Sequence, residues 1–468
     1  MGRRNKNMVL EKVSIVDVAA EGKSLGRVDD KVVFVPYTLP GDVVDIRVTK
    51  NRKNFFEGKV EKFHEYSSDR IEPFCADFGT CGGCKWQMMP YDQQLKIKEQ
   101  TVKDHLERLG GFKDLNYLPI VGAASDRFYR NKLEFTFTPM RWLTNEQVKS
   151  GEEFERRGVG FHVPGGFDKV LDIEKCYLQD DFSNALRNSL RDYLLEHDLT
   201  CYNMRDHHGF FRNVIIRNTS LNDHMVIVQF GENQEENIQG VMSYLKDKFP
   251  EITSLMYIVN TKKNETIHDQ DIVLFHGKEY MVEDFEGIKF KIGPKSFFQT
   301  NTKQALELYR ITRDMADISP DDIVYDLYTG TGTIANFVAH QAKKVVGVEY
   351  VEEAIIDAKE NSRFNNVENT VFYAGDMKDV LTEEFITKNG KPDVLITDPP
   401  RAGMHESVTN VILKADPQRI IYVSCNSATQ ARDLQILDEK YKIVEVVAVD
   451  MFPQTAHVES VVKLERRE

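Results

Sequence analysis

Ile323-Val324-Tyr325-Asp326-Leu327-Tyr328-Thr329-Gly330-Thr331-Gly332-Thr333 is the stretch whose reading decides the fold. An apolar run ends on an acid and passes into a glycine-bearing turn. That is the pattern of a buried strand feeding the start of a helix. Downstream the pattern repeats. KVVGVEY (344–350), TVFYAG (370–375), DVLITD (393–398) and RIIYVSC (419–425) are separated by helical stretches of a dozen or more residues. Such alternation predicts a doubly wound, Rossmann-like parallel sheet. KIVEVVAVDMF (442–452) and HVESVVKLE (457–465) are joined by a short link. A link that short suits an antiparallel hairpin, because parallel neighbours need a long crossover.

Upstream, residues 121–285 mix strands (LEFTFTP, GVGFHV, NVIIRN, MVIVQF, SLMYIVN) with helices near 180–197 and 235–248, which predicts one α+β domain. Residues 93–110 are helical in composition and end at Gly110-Gly111. Residues 9–63 read as short strands punctuated by Gly22, Gly26, Pro36, Pro40, Gly41 and Gly58, which suits a small closed barrel. In it, Lys50-Asn51-Arg52-Lys53-Asn54-Phe55-Phe56 sets cations beside aromatics. That is either a solvated hairpin tip or a surface that tracks and stacks on RNA.

The chain has 468 residues, 41 % hydrophobic and 29 % charged, with a formal charge of −13. This is a globular balance, and it excludes a protein coated in basic surface. Residues 1–70 nevertheless hold 14 Lys and Arg against 11 Asp and Glu. A local basic groove is compatible with distant acidity, since screening acts over ~8 Å at physiological salt. No apolar run is long enough to span a membrane. Glu11, Lys12 and Asp17 break any signal-peptide core, and Lys6 stands where a myristoylation signal beginning at Gly2 needs Ser or Thr. The expectation is a cytoplasmic protein with no membrane partner.

In an open α/β sheet the ligand lies at the carboxyl ends of the strands. Asp326, Glu349, Asp376 and Asp398 close the first four strands. Glu349 stands where ribose hydroxyls need an acceptor, and Asp376 where an adenine would lie. Carboxylates in this number suit a sulfonium cation and suit pyrophosphate poorly, so S-adenosylmethionine is favoured over a nicotinamide dinucleotide. Cys425 closes the fifth strand, beside the presumed methyl donor, where a thiolate can act as nucleophile. Amine methylation needs no thiol. C5 of a pyrimidine does, because addition of a thiolate at C6 turns the ring into an enolate that accepts a methyl at C5. A base must then remove the C5 proton. Glu459 is the best-placed carboxylate and His457 its rival, and their spacing puts both on one face of a strand.

Cys75-x5-Cys81-Gly82-Gly83-Cys84 supplies three thiols, with Cys176 or Cys201 as the fourth. The set fits structural zinc or an iron–sulfur cluster, and the two glycines lean toward the bulkier group.

Together these motifs carry a resemblance. Cys75-x5-Cys81-Gly82-Gly83-Cys84-x2-Gln87, Phe298-Gln299-x-Asn301, Asp326-Leu327-Tyr328-x-Gly330-x-Gly332, Asp398-Pro399-Pro400-Arg401-x-Gly403, Ser424-Cys425-Asn426 and His457-x-Glu459 occur in order. The chain resembles the RNA uracil-C5 methyltransferases of the RumA/TrmA type over nearly its whole length, and most the Gram-positive RlmCD type that acts on 23S rRNA. The resemblance implies a multidomain α/β protein. Residues 1–65 would form a TRAM domain, an OB-like RNA-binding barrel. Residues 66–285 would form a central α+β RNA-binding domain with a 4Fe-4S cluster on Cys75, Cys81, Cys84 and Cys176. Residues 286–468 would form the methyltransferase, with segment 92–118 folded back onto it. The resemblance further implies S-adenosylmethionine contacts from Gln299, Tyr328, Glu349 and Asp398, a Cys425 nucleophile and a Glu459 base. The implied partner is 23S rRNA with its target uridine flipped out, and the enzyme is expected to be a monomer. Arg130 and Arg212 are candidate phosphate contacts, and Phe297 or Phe298 a candidate stacking surface for the flipped base.

Methylation of uridine C5 in tRNA is the first alternative, and three further rivals differ in class. An adenine amine methyltransferase is suggested by Asp398-Pro399-Pro400, but such enzymes follow the prolines with an aromatic residue where this chain has Arg401. A non-catalytic RNA-binding assembly factor fits the barrel and the cysteines. A dinucleotide oxidoreductase fits only the glycine turn.

Overall fold

Strands that bury alternate residues close the N-terminal region on itself. β1 (Val9–Val18), β2 (Ser24–Val28), β3 (Lys31–Val35), β4 (Val43–Asn51) and β5 (Phe55–Glu65) form a closed barrel in the order β1-β2-β3-β5-β4. Leu10, Val13, Ile15, Val33, Val35, Val44, Ile46, Val48 and Phe56 fill it. The computed structural model describes residues 8–19 and 21–468; Gly2 and Lys6, which bear on the acylation reading, lie outside the described residues.

Two details of the barrel differ from the sequence reading. β2 is a strand where Gly26 reads as punctuation: a Cβ at Gly26 would stand 2.7 Å from the Ser14 carbonyl oxygen, so glycine permits the close approach of β1. Phe56 is interior, with the Lys31 ammonium 4.6 Å from its ring centroid, and Phe55 packs edge-on against Phe34. Of the cation–aromatic loop, the exposed part is therefore Lys50, Asn51, Arg52, Lys53 and Asn54.

In the middle of the chain, β6 (Lys132–Thr138), β7 (Gly158–His162), β8 (Val170–Asp172), β9 (Phe211–Asn218), β10 (His224–Phe230), β11 (Ile252–Val259) and β12 (Val273–Gly277) form a sheet ordered β12-β11-β10-β9-β6-β7-β8. Leu186, Leu190 and Leu194 of helix Asp181–Glu196, and Val241, Met242 and Leu245 of helix Glu235–Lys248, pack into its core. A hairpin of β13 (Met281–Phe285) and β14 (Ile288–Ile292) follows.

The C-terminal sheet contains β15 (Ile323–Leu327), β16 (Lys344–Glu349), β17 (Thr370–Ala374), β18 (Val394–Thr397), β19 (Arg419–Ser424), β20 (Tyr441–Val449) and β21 (Glu459–Arg466), ordered β17-β16-β15-β18-β19-β21-β20. The first five are mutually parallel, and β21 runs antiparallel to both β19 and β20. The order reverses at β15, and the crevice at this switch point is where an open α/β sheet binds its ligand.

The outer edge of β20 is covered by residues 117–121. The Leu118 amide donates to the Val446 carbonyl (2.8 Å), the Val121 amide to that of Ala448 (2.9 Å) and the Asp450 amide to that of Val121 (2.9 Å). An exposed edge strand is thereby paired within the chain. Helix Tyr91–Asp104 runs into a π-helical turn, His105–Leu109. That turn lies on helix Ser427–Leu437 through His105 Nδ1 and Ser427 Oγ (2.8 Å) and through Gln435 Nε2, which donates to the Gly110 carbonyl (3.2 Å).

Candidate active site

β15 delivers the glycine turn. Asp326, 1 % exposed, does not face outward as a fourth strand-end acceptor. Its Oδ2 accepts from the Thr329 hydroxyl and from the Ala335 amide (3.1 Å), so it braces the turn from beneath. Burial pushes its pKa up to about 7. Tyr328 follows in the left-handed region at φ 61°, an uncommon and strained conformation for an aromatic residue. Burial, then the charge of Asp376, pushes its phenol up to about 12.

Glu349, at the end of β16, accepts from the Gly330 amide (3.1 Å) and the Val351 amide (3.0 Å). It therefore holds the glycine turn on the neighbouring strand, with acceptor capacity to spare. Asp376 caps the short helix Met377–Val380 through the Lys378 amide (3.2 Å) and pairs with the Lys378 ammonium (3.0 Å). Both interactions, the Lys378 side chain first, hold its pKa below the usual value. The half-buried Gln299 lies before helix Thr302–Ala316, and its carbonyl accepts from Asn131 Nδ2 (2.9 Å). Asn301 caps that helix and donates through Nδ2 to the Met451 carbonyl (2.9 Å), tying the Phe298-Gln299-x-Asn301 motif to the end of β20.

On the other side of the switch point, three ionisable groups crowd together. Burial and the neighbouring Asp326 push Asp398 up to about 7. Glu459, 4 % exposed, is pushed up to about 8 by burial and by the charge of Asp398, against the opposing pull of Arg401. Burial, Glu459 and Asp398 together push the Cys425 thiol up to about 11, again opposed by Arg401. Cys425 stands between β19 and helix Ser427–Leu437, whose cap is Asn426. Asn426 Nδ2 and the Thr429 hydroxyl both donate to the Arg401 carbonyl (3.0 and 3.2 Å), so one helix start fixes both the thiol and the arginine. Tyr309, 5 % exposed, lies within the influence of the Asp398, Asp326 and Glu459 charges. Sequence reasoning missed Tyr309 and gave Arg401 no part in the site. A tyrosine at a helical apolar position carries no signal of its own.

His457 is exposed and precedes β21, whereas Glu459 opens it and is buried. The two are thus not neighbours on one strand face. Arg401, Lys98, Arg130 and Lys85 surround His457 with positive charge. Phe298 is core, packed on Phe285, whereas Phe297 is 71 % exposed.

The two candidate phosphate arginines part ways. Arg212 is 2 % exposed and donates to the carbonyls of Asn260 (2.9 Å), Lys262 (2.7 Å) and Asn264 (2.6 Å). It is a buried strut, and the expectation of a phosphate contact is overturned. Arg130 is half-buried and lies 5.7 Å from the Phe452 ring.

Cys75, Cys81, Cys84 and Cys176 line one cavity of about 400 Å³, together with Arg130, Lys132 and Thr300 among others. Cys201 is elsewhere, buried beside β9. Burial, then neighbouring charges that include the other cysteines, pushes Cys81 up to about 11 and Cys84 up to about 12. Among the described residues, no group of three or more His, Cys, Asp or Glu side chains is set to hold a metal ion. The donor chemistry of the four, all thiols, is of a kind that iron–sulfur groups and tetrahedral ions both take.

Comparison with known proteins bears on this geometry. The profile of the family described as tRNA (Uracil-5-)-methyltransferase matches residues 175–467, and that of the TRAM domain matches residues 11–60. An uncharacterized RNA methyltransferase of Bacteroides thetaiotaomicron is 55 % identical over 96 % of this chain and 100 % of its own length. One from Porphyromonas gingivalis is 52 % identical over 97 % of this chain and 99 % of its own. Among solved structures, the Pyrococcus abyssi tRNA (uracil-54, C5)-methyltransferase in complex with S-adenosyl-L-homocysteine superimposes with a TM-score of 0.76 at 28 % identity. That match covers 97 % of this chain and 100 % of that one. No helix among the described residues is long and apolar enough to cross a membrane.

Proposed function

Because the chain belongs to the tRNA (uracil-5-)-methyltransferase family and carries a TRAM domain, we propose that it methylates C5 of a uridine in RNA through a transient bond between Cys425 and C6 of the base. The observation that carries this reading is the cluster of Cys425, Glu459 and Asp398 at the switch point of the sheet.

The target uridine leaves its stack to meet Cys425, since a thiolate must approach the ring face. The half-buried thiol first gives its proton to solvent, helped by the Arg401 guanidinium, which offsets the surrounding carboxylates. The sulfur then bonds to C6, and the electrons of the C5–C6 double bond move toward the O4 carbonyl. S-adenosylmethionine, when bound, supplies the methyl group that C5 takes up. Gln299, Tyr328, Glu349, Asp376 and Asp398 would hold that donor. Glu459 takes the C5 proton. The electrons of that C–H bond re-form the double bond, and the sulfur leaves C6 as thiolate. A carboxyl with its pKa pushed up to about 8 is a stronger base than an exposed glutamate, which suits this task.

Cys75, Cys81, Cys84 and Cys176 would hold a 4Fe-4S cluster; the shared cavity and the all-thiol donor set support this. Within the resemblance, the barrel and the four cysteines favour 23S rRNA as the substrate. The Pyrococcus enzyme favours a second reading, tRNA, because its fold matches this chain almost end to end. Mapping 5-methyluridine in the rRNA and tRNA of cells with and without the protein separates the two. The chemistry is tested with RNA carrying 5-fluorouridine, whose fluorine cannot leave as a proton. Wild type should be trapped as a covalent RNA adduct and Cys425→Ala should form neither adduct nor product. An active Cys425→Ala protein would end the proposal.

A further inference from the structure

The loop that carries Glu459 into the site is held mostly by the other half of the chain. Gln454 is its centre. The Gln454 amide donates to Gln94 Oε1 (2.9 Å), and its carbonyl accepts from the amides of Lys85 (2.7 Å) and Trp86 (3.3 Å). Its side-chain Oε1 accepts from Gln94 Nε2 (3.0 Å), and its Nε2 donates to Asp126 Oδ2 (2.9 Å). Every polar atom of this residue is engaged, and every partner lies among residues 85–126. Gln454 is 2 % exposed and stands at φ 66°, a left-handed conformation that a glutamine holds only when its surroundings fix it.

Adjacent residues are pinned from the same side. Lys98 and Asp450 form an ion pair with no solvent exposure (2.5 Å), and Lys98 also donates to the Phe452 carbonyl (3.0 Å). The Tyr91 hydroxyl donates to the other oxygen of Asp450 (2.8 Å), and the Tyr129 hydroxyl to the Pro453 carbonyl (2.9 Å). Even the barrel touches the loop. Gly22 stands at φ 82°, where an added Cβ would come within 2.8 Å of Ala456 Cβ.

We propose that Gln454 is the positioning residue for Glu459: it locks the loop between β20 and β21 to the cysteine loop and to helix Tyr91–Asp104, and so sets the carboxylate against the C5 proton. The inference rests on the base role proposed above. Cys425 comes from β19 and is fixed by Asn426, outside this lock. Loosening Gln454 therefore affects the second half of the reaction, removal of the C5 proton and expulsion of the thiolate, and spares the first, attack and methyl transfer.

The test uses the full-length protein with a 23S rRNA transcript, or a tRNA transcript if the mapping assigns tRNA. Gln454→Gly keeps the left-handed backbone and removes both side-chain bonds. Gln454→Glu retains the acceptor for Gln94 and sets a carboxylate against Asp126. Both should lower turnover on uridine RNA about 100-fold, the cost of misplacing a reacting group by about 1 Å. Both should form the 5-fluorouridine adduct at the wild-type rate, with an unchanged KM for RNA. Adding Asp126→Asn to Gln454→Glu restores the missing donor and should return turnover to near wild type. Equal slowing of adduct formation and turnover would show a merely structural residue and overturn the proposal, as would unchanged turnover in Gln454→Gly. If wild type itself traps no adduct through Cys425, the proposed function fails instead, and that outcome is read in the wild-type lane alone.

Discussion

The two sides of the switch point solve opposite problems. On the β15–β16–β17 side, the strand-end carboxylates are already engaged: Asp326 with Thr329 and Ala335, Glu349 with Gly330 and Val351, Asp376 with Lys378. Their bonds are to backbone amides and nearby side chains that shape a turn. This half is formed before any ligand arrives. On the β18–β19–β21 side, burial raises Asp398, Cys425 and Glu459 above their ordinary pKa values; the charge of Asp398 adds to the shift of Glu459, both carboxylates add to that of Cys425, and Arg401 opposes the shift of the thiol and the base. This half holds protons that a cationic ligand would displace. A binding region gains from rigidity, and a reacting region gains from charges that respond to what is bound. The contrast breaks if carboxylates on the two sides behave alike when neutralised.

Glu459→Gln is the largest test. It removes the proposed base and leaves the thiol in place. Turnover on uridine RNA should fall about 10²- to 10⁴-fold, the usual weight of a general base. Protein–RNA adduct should accumulate even on ordinary uridine, seen as a shifted band in a denaturing gel. Folding should not suffer. The folded-state pKa of Glu459 lies well above that of an unfolded glutamate, so its ionised form opposes folding at neutral pH and above. Thermal stability of the glutamine variant should equal or exceed that of wild type. Wild-type turnover in this variant would assign the proton to another acceptor and undo the contrast.

pH offers a milder probe. Glu459 must be ionised to act, and its pKa is pushed up to about 8. The ionised fraction therefore grows as pH rises through that value, by about tenfold between pH 7 and 9. The thiolate of Cys425 also grows with pH over this range. Single-turnover rates at saturating S-adenosylmethionine should rise by about tenfold or more from pH 7 to 9. A flat or falling profile would mean that neither buried group limits the reaction.

Much of the C-terminal half is legible in the sequence because its signals are local. Apolar runs ending in Asp326, Glu349, Asp398 and Cys425 state both the strand and the edge it ends on. β2 is not legible, because Gly26 is punctuation by local rules and only the approach of β1 explains it. Arg212 misleads for the same reason: an arginine in FFRNV looks like a surface cation until the three carbonyls it serves are seen. Gln94, Lys98 and Gln454 carry no local signal of burial. Their partners lie some 350 residues away in sequence, and no spacing rule reaches that far.

The smallest expected effect falls in the engaged half and asks whether engagement leaves room for a second role. Asp376 is a helix cap by geometry and a donor-binding residue by expectation. Asp376→Ala removes both roles and should cost about 1 kcal/mol of stability, as loss of a cap does. The ion pair with Lys378 adds almost nothing to that, being open to solvent. Asp376→Asn separates the roles, because asparagine caps a helix as well as aspartate but accepts through one oxygen and carries no charge. Its melting temperature should match wild type. Its KM for S-adenosylmethionine should rise by about two- to tenfold, the worth of one hydrogen bond, with turnover at saturation unchanged. An unchanged KM would leave Asp376 as a cap alone. Donor recognition in this half would then rest on Tyr328 and on Glu349, which keeps acceptor capacity beyond its bonds to Gly330 and Val351.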